Sequence, residues 1–531
     1  MSFGKSVREF RLRLARLPRV TGGVPDAPAV TVRDPWPGDA ARGARLLKGE
    51  LQYYGAVRPL KPGAWADQAS SAVMRAHAHG FSWLRDLREI GTDAARMRAR
   101  ALVDEWIENA SGEAIAQRPD VAGARMAAWL GQYDFFAASA DDAFRHALLR
   151  RLIYDARVLS AAMPAEELDG RALTALKGLI AVSIALPDHA AYLARAMRFL
   201  PQEISRQVLG DGGHVERSPS AHLTALKDLI ETRALLHLAG ADVPPSLGGA
   251  IERLALALRT LRHGDGSLAL FNTTREEPAS LIELVLAQSG RYGRGGPQAL
   301  PEMGFQRLQA GGTVLIVDAG APAPPGQDRL AHAGTLSFEL SIGRHRLIVN
   351  CGAVPVAAGG WADAARTTAA HSTLVIADTS SSELKPVGLG RRPERVVAQR
   401  QEANGAHWLE ASHDGWKKPF GAVHRRRLYL AESGEDIRGE DAVEAANGQP
   451  FTVRFHIHPA VSASLQQDGG GVLLRLPANG GFWRLRAEGA KITLEESIFL
   501  GGAEPKRAEQ VVLTGFQDGA QQVKWAITKE G

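Results

Sequence analysis

Cysteine is almost absent: Cys351 is the single one in 531 residues. No internal disulfide can form, so the fold must stand on core packing. The thiol lies in the apolar run LIVNCGA, where a buried, unreactive sulfur is the expectation. No stretch approaches the ~18–20 apolar residues that a membrane span requires. The basic, amphipathic start MSFGKSVREFRLRLARLPRV lacks the uninterrupted apolar core of a secretory signal. A cytoplasmic or weakly surface-associated protein is therefore the expectation from the residues. Lys plus Arg exceeds Asp plus Glu by 63 − 58 = 5, yet no basic block with interleaved aromatics occurs. That sets nucleic acid aside as a partner while permitting acidic ones. No fixed-period repeat is present either, which argues against a solenoid.

What is present divides into two grammars. A chain of this length predicts two to four folded units. From about residue 92 to 290 apolar residues recur at helical spacing. In DAFRHALLRRLIYDARVLS they fall at Phe144, Leu148, Leu149, Leu152, Ile153, Ala156 and Leu159, one face of a helix. Similar stripes cover 93–109, 121–136, 169–186, 188–209, 221–240, 246–263 and 279–290. Brief loops rich in Gly, Pro or Asp join them, so successive helices should pack as antiparallel hairpins in a layered or toroidal arrangement. After Gly304 the pattern changes to short β-branched or alternating runs such as TVLIVDAG, TLSFELSI, HRLIVN, FTVRFHIHP and QVKWAI. No helix-length pattern intervenes between them, which predicts an antiparallel β-sandwich. The boundary falls near 295–304, in GRGGPQALPEMG.

Chemistry-bearing residues concentrate in loops. DGGHVERS (211–218) opens on a turn, and Ser218-Pro219 reads as an N-cap followed by Pro at the first helical position. His214, Glu216, Arg217 and Ser218 then sit at a helix mouth. Solvated charges, a capping serine and a satisfied loop histidine are the plain alternative. His222 lies one turn into the helix, facing either the same opening or solvent. A second loop, RHGDGSLALFNTTREEP (262–278), carries Asn272 and Arg275. The strand-rich half adds His332, Arg366 and His371 ahead of strands. In VRFHIHP, alternation puts Arg454, His456 and His458 on one face, either a solvated sheet surface or the wall of an anion cleft. FWRLRA repeats the pattern with Arg484 and Arg486.

The segments DGGHVERSP, LRHGDGSLALFN, AHAGTLSFELSIGRHRLIVNCGA and WADAARTTAAHSTLVI, with the early DPWPGDAARGARLLKGE, resemble the heparinase II/III-like family. The similarity runs in order over nearly the whole chain. It implies an α+β multidomain fold, an N-terminal (α/α) toroid followed by a C-terminal antiparallel β-sandwich. The implied domains are 1–90, an extension packing on the toroid, 91–300, the toroid, and 301–531, the sandwich. It also implies a cell-envelope or periplasmic setting, which conflicts with the missing signal.

The implied activity is β-elimination on a uronate-containing polysaccharide. A uronate lyase removes the proton next to a carboxylate and expels the 4-linked sugar, so it must neutralise that carboxylate and supply a base and an acid. On this reading His214, Arg217, Asn272, His332 and His371 are the catalytic candidates. His214 and Arg217 neutralise, and His332 or His371 shuttles protons. Glu216, Ser218, His222, Arg366, Arg454, His456 and His458 line the substrate site. The partner is an acidic polysaccharide or oligosaccharide.

Departures from the family pattern are equally specific. Ser218 stands where the toroid neutraliser is often Asn, and Asn272 stands in the loop that usually carries the catalytic Tyr. In the family motif His-x-His-x-Asp, Leu330 replaces the first His, His332 keeps the second and Gly334 replaces the Asp. Downstream, Asn350 replaces an Asp. No cofactor is required, and a structural zinc on His332 and His371 would lack its carboxylate. Two alternatives therefore stay open: an acidic-glycan-binding or scaffolding protein that keeps the lyase fold without its chemistry, and a glycoside hydrolase using Glu216 and a second acid.

Overall fold

A computed structural model describes residues 3–17, 23–61, 63–66, 68–164, 170–186, 190–290, 295–353, 361–444, 448–467, 469–478, 480–515 and 521–530. Residues 169 and 188–189 of two expected helices, 293–294 of the expected boundary, and 1–2 and 18–20 of the basic start lie outside this set. Contacts divide the chain into two compact units, Met1–Gln207 with Ala225–Ile251, and Val208–Thr224 with Glu252–Gly531. No helix among the described residues is long and apolar enough to cross a membrane.

The first unit is mainly helical, with one antiparallel pair of strands, Glu50–Tyr53 and Ala56–Pro59. Its expected helices form as Asp93–Asn109, Pro119–Gly131, Asp142–Ala162, Arg171–Ala185 and Ala190–Gln207. Local chemistry sets their starts: Thr92 Oγ1 accepts from Ala95 N at 3.3 Å, and Asp141 Oδ1 accepts from Phe144 N at 2.8 Å. Each cap satisfies a first-turn N–H that has no intrahelical partner. The core is aromatic, with Phe81, Trp106 and Trp129 edge to face. Arg125 is fully buried there, its guanidinium 4.2 Å above Trp106 and hydrogen-bonded to Asp155 Oδ2 at 2.6 Å. Helices Pro119–Gly131 and Arg171–Ala185 touch backbone to backbone at Gly123 and Gly178. A Cβ on Gly178 would stand 2.4 Å from Gly123 Cα.

The second unit carries two antiparallel sheets among the described residues. One has eight strands in the order Ser462–Leu465, Val472–Arg475, Phe482–Glu488, Gln522–Glu530, Asp436–Glu444, Ala422–Leu430, Ala406–Trp416, Val396–Ala403. The other has nine: Ala490–Phe499, Lys506–Gly515, Phe451–Ile457, His345–Val349, Phe338–Ile342, Thr313–Asp318, Phe305–Ala310 and Ala299–Leu300, with Leu374–Ile376 also paired to Phe451–Ile457. Their inner faces share one core that includes Leu315, Phe338, Leu340, Leu428, Phe455 and Trp525. A polar network is sealed within it: Asp441 accepts from His424 Nε2 at 2.8 Å, Arg426 Nε at 2.7 Å and Trp525 Nε1 at 2.9 Å. Helix Ala279–Ser289 and the first and last turns of Pro219–Leu238 and Pro245–Thr260 respectively belong to this unit as well.

Candidate functional site

Every candidate residue lies in the second unit. The segment DGGHVERS forms a tight loop. Leu209 N donates to Gly213 O at 2.9 Å, Asp211 Oδ1 accepts from Gly213 N, and Asp211 Oδ2 accepts from Glu302 N and Met303 N. Ser218 caps the following helix, its Oγ accepting from Ala221 N at 3.4 Å and lying 3.2 Å from Thr274 Oγ1. His214, Glu216, Arg217 and Ser218 are all buried, so the loop is no solvated rim. The Arg217 guanidinium is an internal strut. It pairs with Asp318 and donates to Met303 O at 2.5 Å and Ala321 O at 2.6 Å. Burial raises the Asp318 carboxyl pKa, with the Arg217 charge opposing.

The loop 262–278 meets this segment through Asn272. Its Nδ2 donates to Arg217 O at 3.0 Å, and its Oδ1 accepts from His332 N at 3.0 Å. Arg217, Asn272, Thr273 and Leu336 all hold positive φ, between 49° and 63°. For a β-branched residue such as Thr273 that backbone costs on the order of 1–3 kcal/mol and persists only where the surroundings impose it.

Beyond Asn272 the two imidazoles form a closed relay. The Thr273 N–H donates to His332 Nε2 at 3.1 Å, which makes that nitrogen an acceptor. His332 Nδ1–H then donates to His371 Nε2 at 3.1 Å, and His371 Nδ1–H donates to Thr367 O at 2.7 Å. The tautomers follow from the backbone groups at the two ends. Burial, then His371 and Arg366, holds His332 well below the usual imidazole range. Burial lowers His371 to about 4, against a smaller pull from Thr367 O. Both rings are neutral at pH 7, and each has both nitrogens engaged.

The chain is 33% identical over 549 aligned residues to FtsZ-localized protein C of Caulobacter vibrioides (strain NA1000 / CB15N), covering 98% of this chain and 92% of that protein. Residues 293–526 match the family described as Heparinase II/III-like, C-terminal. The chain belongs to the heparinase II/III-like family. In fold it is similar to heparinase III, at a TM-score of 0.75, 14% identity, and 98% and 89% coverage of the two chains. It is also similar to a mutant of heparan sulfate lyase HepC from Pedobacter heparinus, at a TM-score of 0.63, 16% identity, and 99% and 88% coverage. The helical region followed by antiparallel sheets is thus that of polysaccharide lyases, as the sequence predicts.

Within this family frame the zinc expectation meets a steric obstacle. A Cβ on Gly334, where the family motif carries Asp, would lie 2.7 Å from His371 Cδ2. Asn350, at the second lost Asp, has its amide engaged with Glu339 Oε1 at 3.2 Å and Ser372 N at 3.0 Å. Among the described residues no three His, Cys, Asp or Glu side chains are grouped to hold a metal. Two imidazoles bonded to each other, with no third ligand, do not fit a zinc site.

The remaining candidates bond to groups other than the two relay rings. His222, expected at the opening or in solvent, is buried with Nε2 2.8 Å from Leu254 O. Glu216 meets Arg329 Nη2 at 3.3 Å. Arg366 donates to Lys385 O at 2.8 Å and Gly388 O at 2.6 Å. Alternation does put Arg454 and His456 on one face of strand Phe451–Ile457, with His458 just past its end, but His456 is buried and the other two are half-buried. His456 lies 2.8 Å from Ser497 Oγ and 2.9 Å from Ala369 O, and Cys351 Sγ lies 3.5 Å from its Nδ1. The Cys351 thiol is buried, as expected, and burial raises it to about 12, away from the reactive thiolate. Sequence reasoning missed Thr273, which occupies His332 Nε2, and Asp318 and Glu339, two acids inside apolar β runs. An acid in such a run was the signal available.

Proposed function

We propose that the chain is a non-catalytic member of its family, a binding or scaffolding protein that keeps the lyase fold without β-elimination. One observation carries this reading: the His332–His371 relay is closed by backbone groups at both ends. A general base needs a lone pair within hydrogen-bond reach of the substrate proton. Here His332 Nε2 faces Thr273, and His371 Nε2 faces His332. Arg217, the candidate neutraliser, has its charge committed to Asp318. No Tyr occurs in 262–278 to serve instead. The relative's name adds a setting, and we extend it to this chain as localisation with FtsZ.

Lyase activity is the competing reading, favoured by the contiguity of Arg217, Asn272, His332 and His371. Full-length protein incubated with heparan, alginate, glucuronan and capsular uronate polymers separates the two. The expected result is salt-sensitive retention of an acidic glycan with no unsaturated product absorbance. Turnover that is lost in His332→Ala overturns the proposal. For the setting, a fluorescent fusion should overlap labelled FtsZ in the same cells, and a diffuse signal beside localised FtsZ ends that part.

A further inference from the structure

The motif RHGDGS begins the loop 262–278 that carries Asn272, and its first residues serve a different place. Together with helix Ala279–Ser289, residues 295–298 and the strand Phe305–Ala310, they line a cavity of about 580 Å³. Four arginines line it, Arg259, Arg262, Arg307 and Arg344, against two acids, Asp265 and Glu283. Both acids are already matched. Asp265 meets Arg346 Nε at 3.0 Å, and Glu283 pairs with Arg262.

Among the described residues the other three arginines have no carboxylate within ion-pair distance, and each lacks one in a different way. Arg259 buries its Nη1 without a hydrogen-bond acceptor among the described residues. Arg307 is tied only to neutral oxygens, Gln309 Oε1 at 2.9 Å, Arg262 O at 2.5 Å and Thr260 O at 3.2 Å. Burial, then the neighbouring Arg262 charge, lowers its pKa to about 10. Arg344 is exposed at the turn between strands Phe338–Ile342 and His345–Val349. Concentrating guanidinium charge without counter-ions is unfavourable unless an anion completes it. Planar guanidinium forks match the oxygens of sulfate and phosphate, and three of them exceed what a single carboxylate can neutralise.

We propose that this cavity is a binding site for a sulfate- or phosphate-bearing small ligand, held by Arg259, Arg307 and Arg344. It is separate from the imidazole relay and stands whether or not the chain is catalytic.

Calorimetric titration of the full-length protein with inorganic sulfate and inorganic phosphate, against sodium chloride at matched ionic strength, tests it. Wild-type protein should bind either oxyanion at least tenfold more tightly than chloride. Arg259→Gln with Arg344→Gln should weaken that binding tenfold or more, while Arg427→Gln, which removes an exposed charge from the other sheet, leaves it unchanged. Arg344→Gln alone, at an exposed turn, should weaken it measurably even if the double variant folds poorly. No preference over chloride, or equal loss in Arg427→Gln, overturns the site. A sulfated disaccharide binding tenfold tighter than inorganic sulfate identifies a sugar as the carrier, and equal affinities identify the free anion. Oxyanion binding without retention of any acidic glycan would keep this site and remove the glycan from the functional proposal.

Discussion

Asp441 shows how much one buried charge can hold. Burial alone would raise its carboxyl pKa, but Arg426 and His424 outweigh that and keep it well below the usual carboxylate range. Asp441→Asn leaves the fully buried Arg426 without a counter-ion, and breaking such a pair typically costs about 3–5 kcal/mol. Arg427, one strand position further on, makes exposed pairs with Glu410 and Glu440. Its replacement by Gln should cost under about 1 kcal/mol. Urea unfolding of the two variants checks the contrast, and an Asp441→Asn protein within 1 kcal/mol of wild type would sink it. Neither role was legible beforehand. His424, Arg426 and Asp441 occupy alternate positions of strands whose outward neighbours include Arg425, Arg427 and Glu440, so pattern alone cannot say which face is sealed. Arg217 misled for the same reason: a polar loop residue reads as exposed until its partner, Asp318, a hundred residues away, is known.

Elements were legible where periodicity and chemistry agreed. The stripe at 93–109 became Asp93–Asn109, because Thr92 supplies a cap immediately before it. Strands with a buried face announced themselves through alternation. The edge strands did not: Val396–Ala403 has no buried position and Ala490–Phe499 buries only Ile492 and Phe499, so no sustained buried face is there to read. Helix contacts were equally silent, since a glycine in an apolar stripe does not reveal what it faces. Gly123 is the test. A Cβ there would stand 2.6 Å from Ala175 Cα and 2.6 Å from Thr174 O, with only backbone to yield. Gly123→Ala gains helix propensity of about 1 kcal/mol yet forces two helices apart, and overpacking of this kind typically costs about 1–3 kcal/mol. We expect a net loss in thermal midpoint. Gly248, in helix Pro245–Thr260, has nothing within 4 Å of its Cβ position, so Gly248→Ala should raise the midpoint instead. The same sign for both variants would refute the account.

At the scale of the molecule, the two grammars of the sequence are two architectures, but interior histidine was invisible, because imidazoles in loops and on alternate strand positions look solvated. Burial lowers His222 and His371 to about 4 and His456 to about 3, while His332 and His413 fall well below the ordinary value. Each of these rings is neutral in the fold and takes up a proton near pH 6.5 when the chain unfolds. Below that value the unfolded state binds more protons than the native state, so stability falls as pH falls. The contribution of each ring is fully present above about 6.5 and is lost progressively toward about 4. A ring moved from 6.5 to about 4 accounts for up to on the order of 3 kcal/mol, and several act together. Urea midpoints should therefore be level from pH 8 to 7 and drop steeply between pH 6.5 and 4.5, before most carboxylates titrate. Midpoints unchanged down to pH 5 would mean that water reaches these rings, and the closed relay at His332 and His371 would lose its physical basis along with them.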